Sequence, residues 1–263
     1  MTKVVTGAIR FVEAVHGGVW LGLLSRQQLD RVNHAFYSGP TPYADDAFNR
    51  RGLTPREEVP VVRHLADARS VLVLGAGGGR EVLALSGMGH RVDGFECNDV
   101  LVDYGNAFLT REGSAARIRR VPPDECPRPD TPWDGALVGW GVYIHMIPRA
   151  RRIEFLEALR RAVVPGGPVV LGFCARREGA FYFRAVAAIA NPLRRLRRRP
   201  PVELGDKLEP TYEHHFTEAE IIAELESAGF GSVEYVDVVE PGQALIVATG
   251  RRDPTRVAAD DPR

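Results

Sequence analysis

The sequence predicts a doubly wound α/β fold with a mostly parallel sheet, and three observations support this prediction. An apolar run from Ser70 to Leu74 breaks into glycines and then resumes with helix-compatible residues up to Met88. A second apolar run follows His90 and ends on Glu96. Strand-like and helix-like segments then alternate to near the end of the chain, which is the pattern of β-α-β units and therefore of a parallel sheet.

The turn after the first strand indicates a ligand. Gly75, Gly77 and Gly79 allow backbone conformations that other residues avoid, and they leave room for a bound molecule. An acid about 20 positions further on, at the end of a strand, is where α/β proteins hold a nucleoside ribose. Glu96 occupies that position, so the pattern predicts an enzyme with a nucleoside-containing cofactor.

The first 68 residues are predicted to be helical and to precede the sheet. Ser25 and Gln28 form a capping box at the start of one helix, and Thr54 and Glu57 form another. A turn-rich segment at residues 38–43 separates these two helices.

After Glu96 the predicted elements alternate regularly. They are a helix at residues 100–109, strands at 116–121 and 133–139, an amphipathic helix at 149–163 and a strand at 169–173. Residues 174–212 interrupt this order and are predicted to form an inserted helical lid. Within the insertion, the arginine-rich run at 194–199 is interpreted either as a substrate element or, by preference, as a solvated helix end that the helix dipole favours.

The alternation resumes near the C-terminus. Thr217 and Glu220 form a third capping box, and Gly229 is a plausible stop for the helix that follows it. Strands at residues 233–238 and 244–249 complete the predicted sheet, and the charged tail at 251–263 is expected to be frayed.

Composition narrows the class of protein. The 263 residues are 44% hydrophobic and 26% charged, with zero formal net charge, so neither nucleic acid nor membrane is an expected partner. Cys97, Cys126 and Cys174 are odd in number and lack C-x-x-C spacing, which predicts reduced thiols and no metal site. The sequence has neither a signal-peptide pattern nor a long apolar stretch, and a cytoplasmic protein is expected.

The glycine spacing distinguishes between cofactors. Arg80 takes the place of the third glycine in the G-x-G-x-x-G fingerprint of dinucleotide-binding proteins. The G-x-G-x-G spacing instead resembles the first motif of the class I S-adenosylmethionine (SAM)-dependent methyltransferases. The turn at Pro165, Gly166 and Gly167 likewise resembles that family's turn into its fifth strand.

This resemblance implies a seven-stranded sheet in a core at residues 69–250, with residues 1–68 as a helical cap and 174–212 as the insertion. It also implies SAM as methyl donor and S-adenosylhomocysteine (SAH) as product. Val73 departs from the family, whose members commonly have an acid two residues before the first glycine. The group that accepts hydrogen bonds from the cofactor's ammonium is therefore not identified.

The resemblance assigns cofactor contacts to eight residues. They are Gly75, Ala76, Gly77, Gly79, Glu96, Cys97, Asp124 and Trp140. Glu96 is the expected ribose ligand and Asp124 the expected partner of the adenine amino group, with Glu125 as its competitor. Trp140 is expected either to wall the cofactor or to stack on an aromatic acceptor. The alternative for the glycines is an ordinary strand-to-helix turn.

Few residues are required for the chemistry itself. A methyl group on a sulfonium is already activated, so the protein supplies proximity, alignment and, for some acceptors, a base. His145 is the first candidate for that base, although a histidine that only bonds a backbone group is as good an explanation. His215 is the second candidate, because adjacent residues of an extended segment face opposite ways and it cannot share a pocket with His214. Tyr143 is the third catalytic candidate and, like Trp140, is expected either to wall the cofactor or to stack on an aromatic acceptor.

Tyr37 and Tyr43 are possible lid residues, with core packing expected for at least one of them.

Three functions are consistent with the sequence. The preferred one is methyl transfer to oxygen or nitrogen of a small molecule or peptide, by a monomer or homodimer. The others are an NAD(P)-dependent oxidoreductase and a SAM-binding partner subunit without activity.

Overall fold

A central sheet organises the structure, a computed structural model that describes residues 2–177, 180–236 and 243–250. Nine strands occur in this part of the chain. They are β1 (Ser70–Leu74), β2 (Arg91–Glu96), β3 (Arg117–Arg120), β4 (Gly135–Val138), β5 (Pro168–Ala175), β6 (Asp206–Leu208), β7 (Tyr212–Phe216), β8 (Phe230–Val236) and β9 (Gln243–Gly250). The tail at 251–263 and the end of the strand predicted at 233–238 lie outside the described residues.

Seven of these strands form the predicted doubly wound sheet, in the order β3-β2-β1-β4-β5-β9-β8. Strands β1 to β5 are parallel, whereas β9 runs antiparallel to both of its neighbours, β5 and β8. The prediction of a mostly parallel, seven-stranded α/β sheet is confirmed.

The remaining two strands were not predicted. Strand β7 pairs in parallel with the last two residues of β5, beyond the end of β4, and β6 pairs antiparallel with β7. The insertion at 174–212 therefore contains one long helix and a strand, rather than helix alone. The hairpin extends the sheet at the carboxyl end of β5, the edge at which α/β folds bind ligands.

Ten α-helices occur in the described residues. They are α1 (Thr2–Leu23), α2 (Arg26–Tyr37), α3 (Asp46–Asn49), α4 (Pro55–Leu65), α5 (Arg80–Gly87), α6 (Asp99–Arg111), α7 (Trp140–Tyr143), α8 (Arg149–Ala162), α9 (Phe181–Leu196) and α10 (Glu218–Ser227). The three predicted capping boxes are confirmed at the starts of α2, α4 and α10. None of these helices has both the length and the apolar character needed to cross a membrane.

Both faces of the sheet are covered, and the side chains of β1 show why. Leu72 and Leu74 belong to the apolar cluster beneath α8 and α10, whereas Val71 and Val73 belong to the one beneath α4, α5 and α6. Alternate residues of a strand point to opposite faces, so a strand buried on both sides is apolar throughout. That is why β1 reads as an uninterrupted apolar run.

The first helix packs on the insertion. A Cβ atom added at Gly18 would lie 2.9 Å from Ile189 Cβ of α9, and one added at Gly22 would lie 2.8 Å from Leu193 Cβ. The glycines therefore let α1 and α9 approach closely. In consequence α1 rests on α9, and the part of the N-terminal segment that reaches the glycine turn comes from α2 and the residues that follow it.

The arginine-rich run has a structural role at the end of α1. Arg194 Nη1 donates to Leu21 O at 2.8 Å, and Arg199 Nη1 donates to Leu23 O at 2.7 Å. The last carbonyls of a helix lack partners within the helix and carry its negative dipole end, so guanidinium groups are suitable caps there. The run is thus more than a solvated helix end.

Candidate functional site

The glycine turn and Glu96 form one hydrogen-bonded unit. The turn needs glycine because Gly75, Gly77 and Gly79 have φ values of +68°, +49° and +100°. Gly77 N donates to Glu96 Oε2 at 2.9 Å. Cys97 N and Asn98 N donate to Glu96 Oε1 at 2.8 and 2.9 Å. A carboxylate offers about four lone-pair sites and three are occupied here, so Glu96 retains acceptor capacity for about one further hydroxyl group.

The segment after α2 covers this turn. A Cβ atom added at Gly78 would lie 1.8 Å from the Tyr43 carbonyl oxygen, and one at Gly77 would lie 3.7 Å from the Tyr43 ring. Asn49 Nδ2 donates to that same carbonyl at 2.9 Å and thereby holds it over the turn. Gly78, which the sequence did not single out, is thus required by the close approach of Tyr43.

Asn98 fastens α2 to the end of β2. Its side-chain oxygen caps α6 by accepting from Leu101 N, while its Nδ2 donates to Ser38 Oγ at 3.0 Å. This contact places the C-terminus of α2 beside Glu96. No motif in the sequence singled out Asn98, because its second bond depends on a segment 60 positions earlier.

Asp124 is held by α2. Arg26 Nη2 donates to Asp124 Oδ2, and the aspartate backbone has a φ of +61°. Burial raises the pKa of the Asp124 carboxyl, and the charge of Arg26 opposes that rise. Asp124 is half-buried whereas Glu125 is exposed, so of the two candidates Asp124 is the one oriented toward the protein.

Trp140 lies in a buried ionic cluster beside the turn. Its Nε1 donates to Glu57 Oε1 at 2.9 Å, and Arg80 donates to both Glu57 oxygens at 2.7 and 2.8 Å. The indole also lies against β5, because a Cβ atom at Gly172 would be 3.0 Å from it. Its orientation is therefore determined by Glu57 and by the sheet, and its contact with a cofactor stays a prediction.

His145 is poised as a hydrogen-bond acceptor. Its Nδ1 bonds the Tyr212 carbonyl, which can only accept, so Nδ1 carries the proton of the neutral ring. Nε2 therefore holds a lone pair, and it lies 3.0 Å from the Tyr37 hydroxyl, which donates to it. Gly141 leaves space for this pair, since a Cβ atom there would be 3.1 Å from Tyr37 Oη. Burial lowers the pKa of His145, which keeps the ring neutral.

Tyr143 lies in the core instead of facing the acceptor, which corrects the expectation from sequence. Its side chain is fully buried, its ring stacks on Phe216 with centroids 5.3 Å apart, and its hydroxyl donates to Glu224. Burial beside the Glu224 carboxylate raises the pKa of Tyr143 well above its ordinary value. The short helix α7 thus directs Tyr143 inward, while His145, just after its end, meets Tyr37.

His214 and His215 face opposite ways, as expected for neighbours on a strand. His214 is buried, with Nδ1 2.7 Å from Asp206 Oδ1. His215 is half-buried, and its Nε2 lies 3.0 Å from Glu213 Oε2. Although burial opposes it, the bond from His215 holds the pKa of Glu213 below its ordinary value. Glu213 was not predicted as a site residue, although its spacing from His215 places both on one face of a strand.

Tyr37 connects these groups. Burial raises its pKa most, and the nearby Tyr43 and the carboxylates of Glu213 and Glu96 raise it further. The Tyr37 hydroxyl is bonded to His145, and the centroid of its ring lies 5.5 Å from that of Tyr43, which covers the glycine turn. The structure brings Glu96, the turn and His145 to one edge of the sheet, and places His215 in the adjoining cluster around Glu213.

Comparison with known proteins gives a result at the level of structure alone. No protein-family model matches the chain, and no curated protein matches its sequence. A SAM-dependent methyltransferase from Methanosarcina mazei superposes with a TM-score of 0.61 at 17% identity, over 77% of this chain and all of that one.

Two further structures are similar. The 1,6-didemethyltoxoflavin-N1-methyltransferase of Burkholderia thailandensis, solved with 1,6-didemethyltoxoflavin and SAH bound, has a TM-score of 0.59 at 17% identity, over 87% of this chain and 91% of that one. The [4+2]-cyclase SpnF has a TM-score of 0.56 at 15% identity, over 74% of this chain and 80% of that one. Together with the strand order and the glycine turn beside Glu96, these likenesses establish that the chain has the class I SAM-dependent methyltransferase fold.

Proposed function

We propose that this protein transfers the methyl group of SAM to an oxygen or nitrogen atom of a small molecule or short peptide. The observation that carries the proposal is the Glu96 carboxylate, bonded to Gly77 N at the carboxyl end of β2. In α/β folds an acid at this place binds a nucleoside ribose. The bound 1,6-didemethyltoxoflavin of the Burkholderia enzyme shows that a protein of this fold holds a small acceptor.

In this proposal the cofactor lies along the glycine turn. The methionine part of the cofactor contacts Gly75, Ala76, Gly77 and Gly79. Glu96 accepts a hydrogen bond from the ribose. Cys97 follows Glu96 directly and Asp124 lies toward the adenine. Trp140 walls the methionine end, where Glu57 holds its indole in position.

His145 acts as the base for a hydroxyl acceptor, through Tyr37. The acceptor's proton passes to the Tyr37 oxygen while the Tyr37 proton passes to His145 Nε2, so the acceptor oxygen is left negative as it attacks the methyl carbon. The sulfonium then leaves as neutral SAH. The Tyr212 carbonyl accepts from Nδ1 and stabilises the resulting imidazolium. For an amine acceptor the same pair only needs to remove one proton after transfer.

Ligand binding is the direct test of this function. Thermal unfolding of the purified chain is followed with SAH, NAD or NADP at the same concentration. SAH is expected to raise the melting temperature, because a ligand that binds only the folded state stabilises it by mass action. Stabilisation by NAD or NADP alone would contradict the proposal. Labelled SAM with fractionated extract of the source organism then identifies the acceptor.

The NAD(P) alternative is disfavoured at the start of α5. Arg80 is neutralised by Glu57 and Glu81, both buried. Burial and the charge of Glu57 raise the pKa of Glu81 to about 7, although Arg80 opposes this. A pyrophosphate placed at this helix start would meet two carboxyl groups instead of a free positive charge.

A cofactor-binding protein without transfer activity is a second candidate. Val73 favours it, since the position usually carries an acid in the family, and the cyclase SpnF shows that the fold also serves another reaction. Calorimetric SAH binding with no methyl transfer to any fraction would support this candidate.

A further inference from the structure

Three side chains with metal-binding chemistry meet where β7 joins β5. Cys174 of β5 is the register partner of His215 of β7, so their side chains lie on the same face. Glu213 precedes His215 by two residues and shares that face. The pairing of β5 with β7 thus brings a thiol, an imidazole and a carboxylate together.

Their ligand atoms are close enough for one ion. Glu213 Oε2 lies 3.0 Å from His215 Nε2 and 4.0 Å from Cys174 Sγ, and one such atom from each residue lies within 4.8 Å of the others. Ligands of a tetrahedral zinc ion, at bond lengths of about 2.0–2.3 Å, are separated by roughly 3.3–3.8 Å. Shifts of about 1 Å or less at the side chains would give this arrangement.

Glu213 lacks the guanidinium partner that two other acids have. Glu57 is bonded to Arg80, and Glu224 to Arg152, so a guanidinium compensates each charge. The hydrogen bonds of Glu213 are instead to His215, to Thr211 and to the Cys174 thiol, at 3.0, 3.4 and 4.0 Å. The amine of Lys207, the register partner of Glu213 on β6, pairs with Glu209 at 3.2 Å. A half-buried carboxylate with these partners leaves room for a cation as its counter-charge.

We propose that Cys174, Glu213 and His215 bind a divalent transition-metal ion of the zinc class, with a fourth position open. On binding, the Cys174 thiol releases one proton to solvent, the proton on His215 Nε2 passes to solvent while Nδ1 takes one up, and metal–ligand bonds replace the bond between His215 and Glu213. Three protein ligands and one open position are the arrangement of catalytic zinc sites. Glu213 follows Tyr212, whose carbonyl accepts from His145, so the site adjoins the His145–Tyr37 pair of the proposed acceptor site.

Cobalt(II) provides a test that does not depend on methyl transfer. The full chain, without a histidine tag and freed of metal by a chelator, is titrated with Co²⁺. We expect one equivalent to bind, with thiolate-to-cobalt charge-transfer absorption in the near ultraviolet, and Zn²⁺ to abolish that absorption by displacement. Cys174→Ser should remove the band, and Glu213→Gln or His215→Ala should weaken binding at least about tenfold.

Cys126→Ser is the matched control, because Cys126 is a half-buried thiol outside the cluster. It should retain the band and the affinity. Should Cys174→Ser fail to fold, alkylation of the wild-type chain replaces it: Zn²⁺ should protect Cys174 and leave Cys126 unprotected. A wild-type chain without the band, or a band that persists in folded Cys174→Ser, would overturn the proposal. SAH binding and methyl transfer are measured separately, so failure of either proposal is distinguishable from failure of the other.

Discussion

At the scale of single residues, Glu96 should determine cofactor affinity. Glu96→Ala removes the carboxylate that we place on the ribose, and hydrogen bonds to a charged group contribute about 1.5–3 kcal/mol. We expect SAH to bind about 10- to 150-fold more weakly by calorimetry. Glu96→Gln keeps an acceptor for Gly77 N and should have a smaller effect. Glu226→Ala, on an exposed glutamate of α10, should bind like wild type; equal affinity for Glu96→Ala would exclude the assignment.

Substitution of His145 should lower turnover and leave cofactor binding unchanged. His145→Gln keeps much of the side chain's volume but removes the base, whose contribution is roughly 10²–10⁴-fold for a hydroxyl acceptor. We expect turnover to fall at least about tenfold. The turnover of Tyr37→Phe should fall by a similar factor. The double variant should lose no further turnover, because the two residues act as a unit. Near-normal turnover of His145→Gln would exclude His145 as the base.

The pH profile of the wild type should show this base. Burial lowers the pKa of His145, and the groups facing it are the Tyr37 hydroxyl, the Tyr212 carbonyl and the nearby Glu213 carboxylate. The active neutral ring should therefore persist below its ordinary pKa of about 6.5. We expect activity to decline only as the pH falls below that value, and His145→Gln to lack this decline.

At the scale of elements, a side chain introduced into the glycine turn is expected to abolish SAH binding without unfolding the chain. Gly77→Val forces a β-branched residue to a φ of +49°, at a cost of about 1–2 kcal/mol, and places methyl groups where we propose that the cofactor binds. The chain should remain folded by circular dichroism and lose SAH binding. Gly89→Val is the matched control, since Gly89 has a φ of +95° but open space around it. Binding retained in Gly77→Val would mean that the turn faces something else.

The contact between α1 and α9 should be sensitive to volume. Gly22→Val places side-chain atoms against Leu193, and overpacking of this kind costs about 1–3 kcal/mol. We expect a lower urea midpoint with a similar slope. Gly87→Ala, at a glycine with no neighbouring atoms within 4 Å, should be neutral or slightly stabilising. An unchanged midpoint for Gly22→Val would show that the helices do not pack this closely.

At the scale of the whole molecule, one buried arginine joins the insertion to the core. Arg152 of α8 donates to Glu224 of α10 at 2.8 and 3.0 Å and to Glu203, just before β6, at 2.6 Å. Arg152→Ala leaves the buried Glu224 with only the exposed Arg149, 3.4 Å away, as counter-charge, and removal of one partner from a buried pair costs up to about 3–5 kcal/mol. The exposed neighbour Arg151 pairs with Glu154 at 3.3 Å, and Arg151→Ala should cost less than about 1 kcal/mol. Similar urea midpoints for the two variants would contradict this difference.

Local chemistry controls the elements that could be predicted from the amino-acid sequence. The buried strand β1, its glycine turn, the three capping boxes and the acid at the end of β2 all depend on residues within a few positions of one another. From these the α/β fold and the place of Glu96 could be predicted. Locally determined features are readable because propensity, capping and side-chain alternation act over one or two turns.

Contacts between side chains that are distant in sequence depend instead on the three-dimensional fold. Tyr37 reaches His145 from 108 positions away, and the side chain of Tyr143 turns into the core, two residues from His145. Cys174 meets His215 because an unpredicted hairpin pairs in a particular register with β5. Such contacts depend on how helices pack and on a register in which a shift of one residue reverses every side chain, and neither is encoded in a short stretch of sequence.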